Sequence, residues 1–124
     1  MVLVFVIIGL IIIYFSVNRW VIRMGEVKGR SMEPTLHDKD LIFIKLLYRN
    51  PKKGDVVVLE DNDGYTVVKR VALVPGDLDD VSPRPTVLLH QDEYVVLGDN
   101  PNESSDSRHY GPVNRKQLMG IVIR

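Results

Sequence analysis

The sequence holds 124 residues, one domain's worth by ordinary domain sizes, and a second large folded unit would be hard to fit. Sixteen Lys plus Arg balance sixteen Asp plus Glu, so no basic excess points to a nucleic-acid partner. With no cysteine, disulfides, thiolate metal sites and cysteine nucleophiles are excluded together.

The chain opens on an apolar run, Met1 to Val17, without a charged side chain. At 1.5 Å per residue it reaches about 25 Å, a little short of a hydrocarbon core of roughly 30 Å. Trp20, Val21 and Ile22 extend it if Arg19 snorkels to the headgroups and Trp20 sits at the interface. A cleavable signal peptide and a buried core helix compete with a membrane anchor here. The run lacks a basic leader, and Ser16-Val17-Asn18-Arg19 offers no small-residue cleavage pattern, so an anchor over residues 1–22 is favoured. Arg19, Arg23, Lys28 and Arg30 all follow the segment, and the positive-inside rule would put that side in the cytoplasm.

Beyond the anchor, residues 23–124 read as short apolar runs separated by turn signals, the pattern of an all-β domain. Leu41 to Leu47, Val56 to Leu59, Tyr65 to Val74, Val87 to Leu89 and Tyr94 to Leu97 are the runs. Asp61-Asn62-Asp63-Gly64 predicts a hairpin that pairs the second run with the third, and Pro75-Gly76-Asp77 predicts a sharp turn. Residues 98–112 form a long polar loop of the kind that usually carries function. Asn114 is placed to cap a short helical turn through Gln117 and Leu118, ended by Gly120, with Ile121 to Ile123 as a closing strand. The expected fold is an antiparallel, partly closed barrel or sandwich of roughly six or seven strands behind one N-terminal transmembrane helix.

Three clusters hold the chemistry: Gly29 to Leu36, Lys69-Arg70, and Gly98-Asp99-Asn100 through Ser107-Arg108. A serine in a loop flanked by Gly and Pro is ordinarily a turn residue. Strand alternation puts Lys69 on one face with Tyr65, Val67 and Val71. Such a lysine either reaches water at the rim of a sheet or is buried and loses its charge, and a neutral amine near a serine hydroxyl is a general base. His37, His90 and His109 show no close-spaced ligand pair, so no metal is expected.

Ser31-Met32-Glu33-Pro34-Thr35-Leu36, Gly54-Asp55-Val56-Val57-Val58, Lys69-Arg70-Val71 through Pro75-Gly76-Asp77, and Gly98-Asp99-Asn100 through Arg108 resemble, in order, four boxes of the type I signal peptidases. The resemblance implies a Ser31 nucleophile, a Lys69 general base, and Ser104 as the hydroxyl that orients the lysine. It makes Arg70, Asp99, Asp106 and Arg108 structural, with Asp106 paired to Arg108. It also implies no cofactor, and as partners a lipid bilayer and preprotein signal peptides with small residues before the cut.

In some members of that family a hydroxyl residue two positions before the nucleophile assists the oxyanion, whereas here Gly29 stands there and the Ser31 backbone N–H is left to do so. Gly29→Ser is therefore expected to be tolerated. Only twenty residues separate Asp77 from Gly98, where larger relatives carry a β excursion, so the chain looks like a minimal catalytic core. The family orientation puts the catalytic domain on the outer face of a cell membrane, against the positive-inside pull. Ser107 to Val113 resembles the mitochondrial inner-membrane branch, which keeps that location open. A non-catalytic assembly partner and a self-cleaving Ser-Lys peptidase are the rival readings.

Overall fold

The structure, a computed structural model, describes residues 1–19, 22–46 and 49–123. Trp20, Val21 and Leu47, on which parts of the expected anchor and of the first apolar run rest, lie outside the described residues. The first element is α1 (Val2–Arg19), an 18-residue helix whose large apolar side chains are exposed all round. Among the described residues no helix is long and apolar enough to cross a membrane. The rise of α1 is about 27 Å and its last two residues are Asn18 and Arg19. Ile22, expected to lengthen that helix, instead opens the first strand.

Among the described residues nine strands follow: β1 (Ile22–Glu26), β2 (Leu41–Leu46), β3 (Val56–Glu60), β4 (Thr66–Leu73), β5 (Leu78–Asp79), β6 (Val87–Leu88), β7 (Glu93–Leu97), β8 (Val113–Asn114) and β9 (Leu118–Val122). Seven form one curled, all-antiparallel half-barrel in the order β1-β2-β9-β3-β4-β7-β8, while β5 and β6 pair as a separate small hairpin. The β3–β4 hairpin expected from Asp61 to Gly64 is present, with Val57 opposite Lys69 and Val58 opposite Val68. Asp61 builds its turn, the carboxylate accepting from the N–H groups of Asp63 (3.0 Å) and Tyr65 (2.8 Å).

The half-barrel buries apolar side chains on both faces, as alternation along β3 requires. Val57 and Leu59 join Val71, Tyr94, Val96, Val113, Leu118 and Ile121 on one side. Val58 joins Val27, Met32, Leu36 and Ile42 on the other. Met32 and Leu36 come from the Ser31 segment, so the loop that follows Ser31 is anchored by its own core residues.

Two local expectations change. Asn114 does cap a short 3-10 turn, Arg115–Gln117, with Gln117 reaching back to the Asn114 N–H at 2.9 Å. Gly120, however, lies inside β9 and does not end that turn. A side chain there would meet Ile44 Cγ2 at 2.5 Å and the Lys45 carbonyl oxygen at 2.9 Å, so the glycine permits close approach of β9 to β2. The long polar loop also contains helical structure: a 3-10 turn at Pro101–Glu103 and the one-turn helix α2 (Ser107–Tyr110).

Candidate active site

Ser31 and Lys69 line one cleft of about 290 Å³ between the segment after β1 and strand β4. Its apolar lining includes Met32, Ile42, Ile44, Val58 and Val68. Lys69 reaches it from mid-strand, flanked along β4 by Val67 and Val71, which pack in the first core cluster. Only 4% of its surface is exposed. Burial pushes the Lys69 amine below its ordinary value, opposed by the negative charges of Asp106 and Asp61 and assisted by Arg108. Among the described residues no carboxylate forms an ion pair with it.

Ser31 sits in a turn just beyond the left-handed Gly29, whose φ is +87°. The Asp38 carboxylate accepts the Gly29 N–H at 2.8 Å and holds the entrance to that turn. Among the described residues neither the Ser31 N–H nor its hydroxyl has a hydrogen-bond partner, so no bond joins the hydroxyl to the Lys69 amine. Catalytic hydrogen bonds are often loose before substrate arrives, and the shared cleft is the more informative feature.

Two carboxylates brace the pieces. Asp99 takes both Nε (2.9 Å) and Nη2 (2.8 Å) of Arg70, and the Thr35 hydroxyl donates to it at 2.6 Å. One side chain thereby ties the residue after Lys69 to the segment after Ser31, and the Arg70 guanidinium, with the Thr35 hydroxyl, holds the Asp99 carboxyl below its usual value. Arg70 also donates to the Gly54 carbonyl at 2.8 Å, which involves the second sequence box.

Asp106 is fully buried and is the hub of the last loop. It accepts from the Gly98 N–H (2.8 Å), the Ser104 hydroxyl (2.8 Å) and Arg108 Nε (2.9 Å), with Arg108 Nη2 closing the bidentate pair. Burial would raise its pKa, but these donors, Arg108 foremost, hold it far below the ordinary carboxylate range. Ser104 thus gives its proton to Asp106, and its lone pairs remain available to accept from an amine. His109 caps α2, its Nδ1 accepting from the Asp106 N–H at 3.3 Å. Among the described residues no cluster of metal-ligand side chains forms.

The profile of the signal peptidase, peptidase S26, family matches residues 1–82 and 78–124. The chain belongs to this family of serine peptidases. Signal peptidase IB of Staphylococcus aureus (strain N315) is 28% identical over 155 aligned residues, covering 90% of this chain and 81% of that protein. The mitochondrial ATP-independent inner membrane protease subunit 1b of Arabidopsis thaliana is 34% identical over 113 residues, covering 81% of this chain and 67% of that protein. The first alignment is longer than this signal peptidase family member itself, so that relative carries residues with no counterpart here. The two profile segments meet at residues 78–82, in β5 and the turn after it.

Sequence reasoning about this family member left several participants unassigned. Asp38 and Thr35 act through contacts 9 and 64 residues away, which no local pattern reports. Asn100 was visible only as part of a box, yet it donates to two carbonyls of the Ser31 segment. Tyr110 packs on the first core cluster with its hydroxyl buried and unpartnered among the described residues, and burial pushes that hydroxyl up to about 12.

Proposed function

We propose that the chain is a membrane-anchored type I signal peptidase in which Ser31 is the nucleophile and Lys69 the general base. The observation that carries this reading is the cleft shared by Ser31 and a buried, charge-disfavoured lysine that no described carboxylate pairs with. A neutral Lys69 amine takes the Ser31 proton as Oγ attacks the scissile carbonyl carbon. The carbonyl oxygen gains negative charge and is met by the unpartnered Ser31 N–H. The Lys69 ammonium then protonates the departing amine, and the freed amine activates the water that hydrolyses the acyl-serine. Ser104, whose hydroxyl donates to Asp106, is in this reading the acceptor that orients Lys69 once substrate is bound; among the described residues the free site holds no hydrogen bond between the two. Arg70, Asp99, Asp106 and Arg108 keep the Ser31 and Lys69 segments in register.

The substrates are preproteins bearing signal peptides. The modest size and apolar walls of the cleft suit small side chains such as alanine at the positions before the cut. In this reading α1 is the single membrane anchor and the domain from Ile22 onward is catalytic, on the outer face of its membrane. A helix exposing apolar residues on every side has no polar face to offer water. A bilayer accommodates its shortness by local thinning.

The test is cleavage of a preprotein by the purified full chain in phospholipid vesicles, beside Ser31→Ala with its thermal unfolding. The variant is expected to stay folded and lose turnover. Residual activity within tenfold of wild type would sink the mechanism, and a wild-type chain that never cleaves would favour the assembly-partner reading. Protease accessibility of the domain in intact cells or organelles tests the orientation.

A further inference from the structure

We infer that Asn100 is a positioning residue for the oxyanion donor, holding the peptide plane that carries the Ser31 N–H. The inference rests on the reading of Ser31 as the nucleophile and extends it to a residue that acts through another.

Asn100 lies half-buried at the start of the loop after β7, seventy positions from Arg30. Its side-chain Nδ2 donates to the Arg30 carbonyl at 3.0 Å, and its backbone N–H donates to the Ser31 carbonyl at 2.8 Å. The two peptide groups that flank the Ser31 α-carbon are therefore both held by this one residue. The Arg30–Ser31 peptide is trans, so its C=O and N–H point in opposite directions within one plane. Fixing the Arg30 oxygen fixes the direction of the Ser31 N–H.

That N–H has no partner among the described residues, whereas the carbonyl at the other end of the same plane has two: Asn100 Nδ2 and the Glu33 N–H at 3.2 Å. The plane is anchored on one side and open on the other, as a preorganised donor requires. The role matters more here because Gly29 supplies no side-chain hydroxyl to share the work. The Glu33 bond is internal to the Ser31 turn, so it cannot orient that turn relative to the rest of the site. Asn100 is joined through Asp99 to Arg70, the neighbour of Lys69, and so gives the plane an outside reference.

Asn100→Ala keeps the backbone bond to Ser31 and removes only the Nδ2 donor. Asn100→Asp is nearly isosteric but sets an acceptor against the Arg30 carbonyl, which turns the plane away. The experiment uses the full chain in vesicles and reads five quantities: kcat and KM for a signal-peptide substrate, the thermal midpoint, and the Ki of each of two inhibitors. One inhibitor is a peptide aldehyde, whose hemiacetal with Ser31 places an oxygen against the N–H. The other is the same peptide ending in an amide, which forms no such oxygen.

We expect kcat to fall about 10- to 100-fold, more for Asp than for Ala, below the 10²–10³ typical of deleting a donor outright. KM and the amide Ki should stay within about threefold while the aldehyde Ki rises in step with the loss of kcat. Unchanged kcat in both variants overturns the inference. So does a fall in kcat with the aldehyde Ki unmoved, or with the amide Ki rising equally, since either assigns Asn100 to the fold or to ground-state binding. Ser31→Ala in the same assay separates the two claims: retained turnover there removes the serine reading and this inference with it, whereas lost turnover leaves Asn100 to be judged on its own variants.

Discussion

The turn that presents Ser31 and the loop that follows β7 lie against each other, yet their polar groups are treated in opposite ways. In the loop, Asp106 alone takes hydrogen bonds from Gly98, Ser104 and Arg108, and Asp99 takes them from Arg70 and Thr35. In the turn, the hydroxyl and N–H of Ser31 are unengaged among the described residues, and the nearby Lys69 has burial without an ion-pair partner. Buried polar groups are normally satisfied, because an orphan costs about 1–3 kcal/mol. The contrast teaches that the two carboxylate hubs give the loop rigidity, while the Ser31 hydroxyl and N–H left free in the turn are atoms the proposed chemistry uses; the Tyr110 hydroxyl, buried and unpartnered within the loop among the described residues, stands outside that chemistry.

The sharpest way to break that comparison is to restore a permanent charge on the free side. Lys69→Arg keeps a cation but replaces the amine with a guanidinium that stays protonated above pH 12 and accepts no proton. It should fail almost as completely as Lys69→Ala, by about 10³-fold or more if general-base catalysis is lost together with site geometry. The pH dependence of the wild-type chain is the companion test. Burial favours the neutral amine and so lowers the Lys69 pKa, and in the proposed mechanism the neutral form is the active one. The rate at limiting substrate should therefore rise with pH through one ionisation below lysine's reference value of about 10.4. Near-normal turnover in Lys69→Arg, or a flat profile from mildly acidic to alkaline pH, would remove Lys69 as the base.

A smaller but more local break comes at Gly98, where the two regions touch. A β-carbon there would collide with the Ser104 hydroxyl and lie 2.5 Å from Ser104 Cβ and 2.7 Å from the Ser31 carbonyl oxygen. The hydroxyl can rotate, but the carbonyl belongs to the backbone that presents Ser31, the proposed nucleophile. Gly98→Ala should cost about 1–3 kcal/mol of stability, as overpacking does. It should lower kcat more than it raises KM, because Ser31 and Ser104 are displaced together. Steady-state kinetics beside urea unfolding checks both, and a variant with wild-type kcat would show that the turn gives way without consequence.

Much of this was legible in the residue string, for reasons that differ by element. The β3–β4 hairpin was readable because its turn is local, Asp61 binding its own neighbours, and because alternation placed Lys69 with Val67 and Val71. The four boxes were readable as a family resemblance, and the family match covers the chain. Gly120 was misread because a glycine after a helical turn is a common stop signal, whereas its reason here is the Lys45 backbone on another strand. α2 was missed because one turn capped by Asp106 and His109 leaves no helical period to detect. The bridges from Thr35 to Asp99 and from Asn100 to Arg30 span 64 and 70 residues and exist only after folding.

Gly29 is where geometry revises an expectation drawn from chemistry, and it yields the smallest of the effects. The missing hydroxyl two positions before Ser31 suggested that Gly29→Ser would be tolerated. Space is not the obstacle, since nothing lies within 4 Å of the position a β-carbon would take. The obstacle is the backbone: a φ of +87° is left-handed, where an L side chain costs about 1–2 kcal/mol. The Asp38 carboxylate holds that conformation through the Gly29 N–H, so relaxing φ would also break a 2.8 Å hydrogen bond and tilt the Ser31 turn. Gly29→Ser is therefore expected to lose about 1 kcal/mol of stability and to lower kcat severalfold, with KM nearly unchanged. Gly29→Ala separates strain from chemistry, because it carries the same backbone cost and no hydroxyl. If the serine variant is faster than the alanine variant by tenfold or more, the hydroxyl has become a second oxyanion donor despite the strain. Equal rates in the two would assign the whole effect to backbone shape.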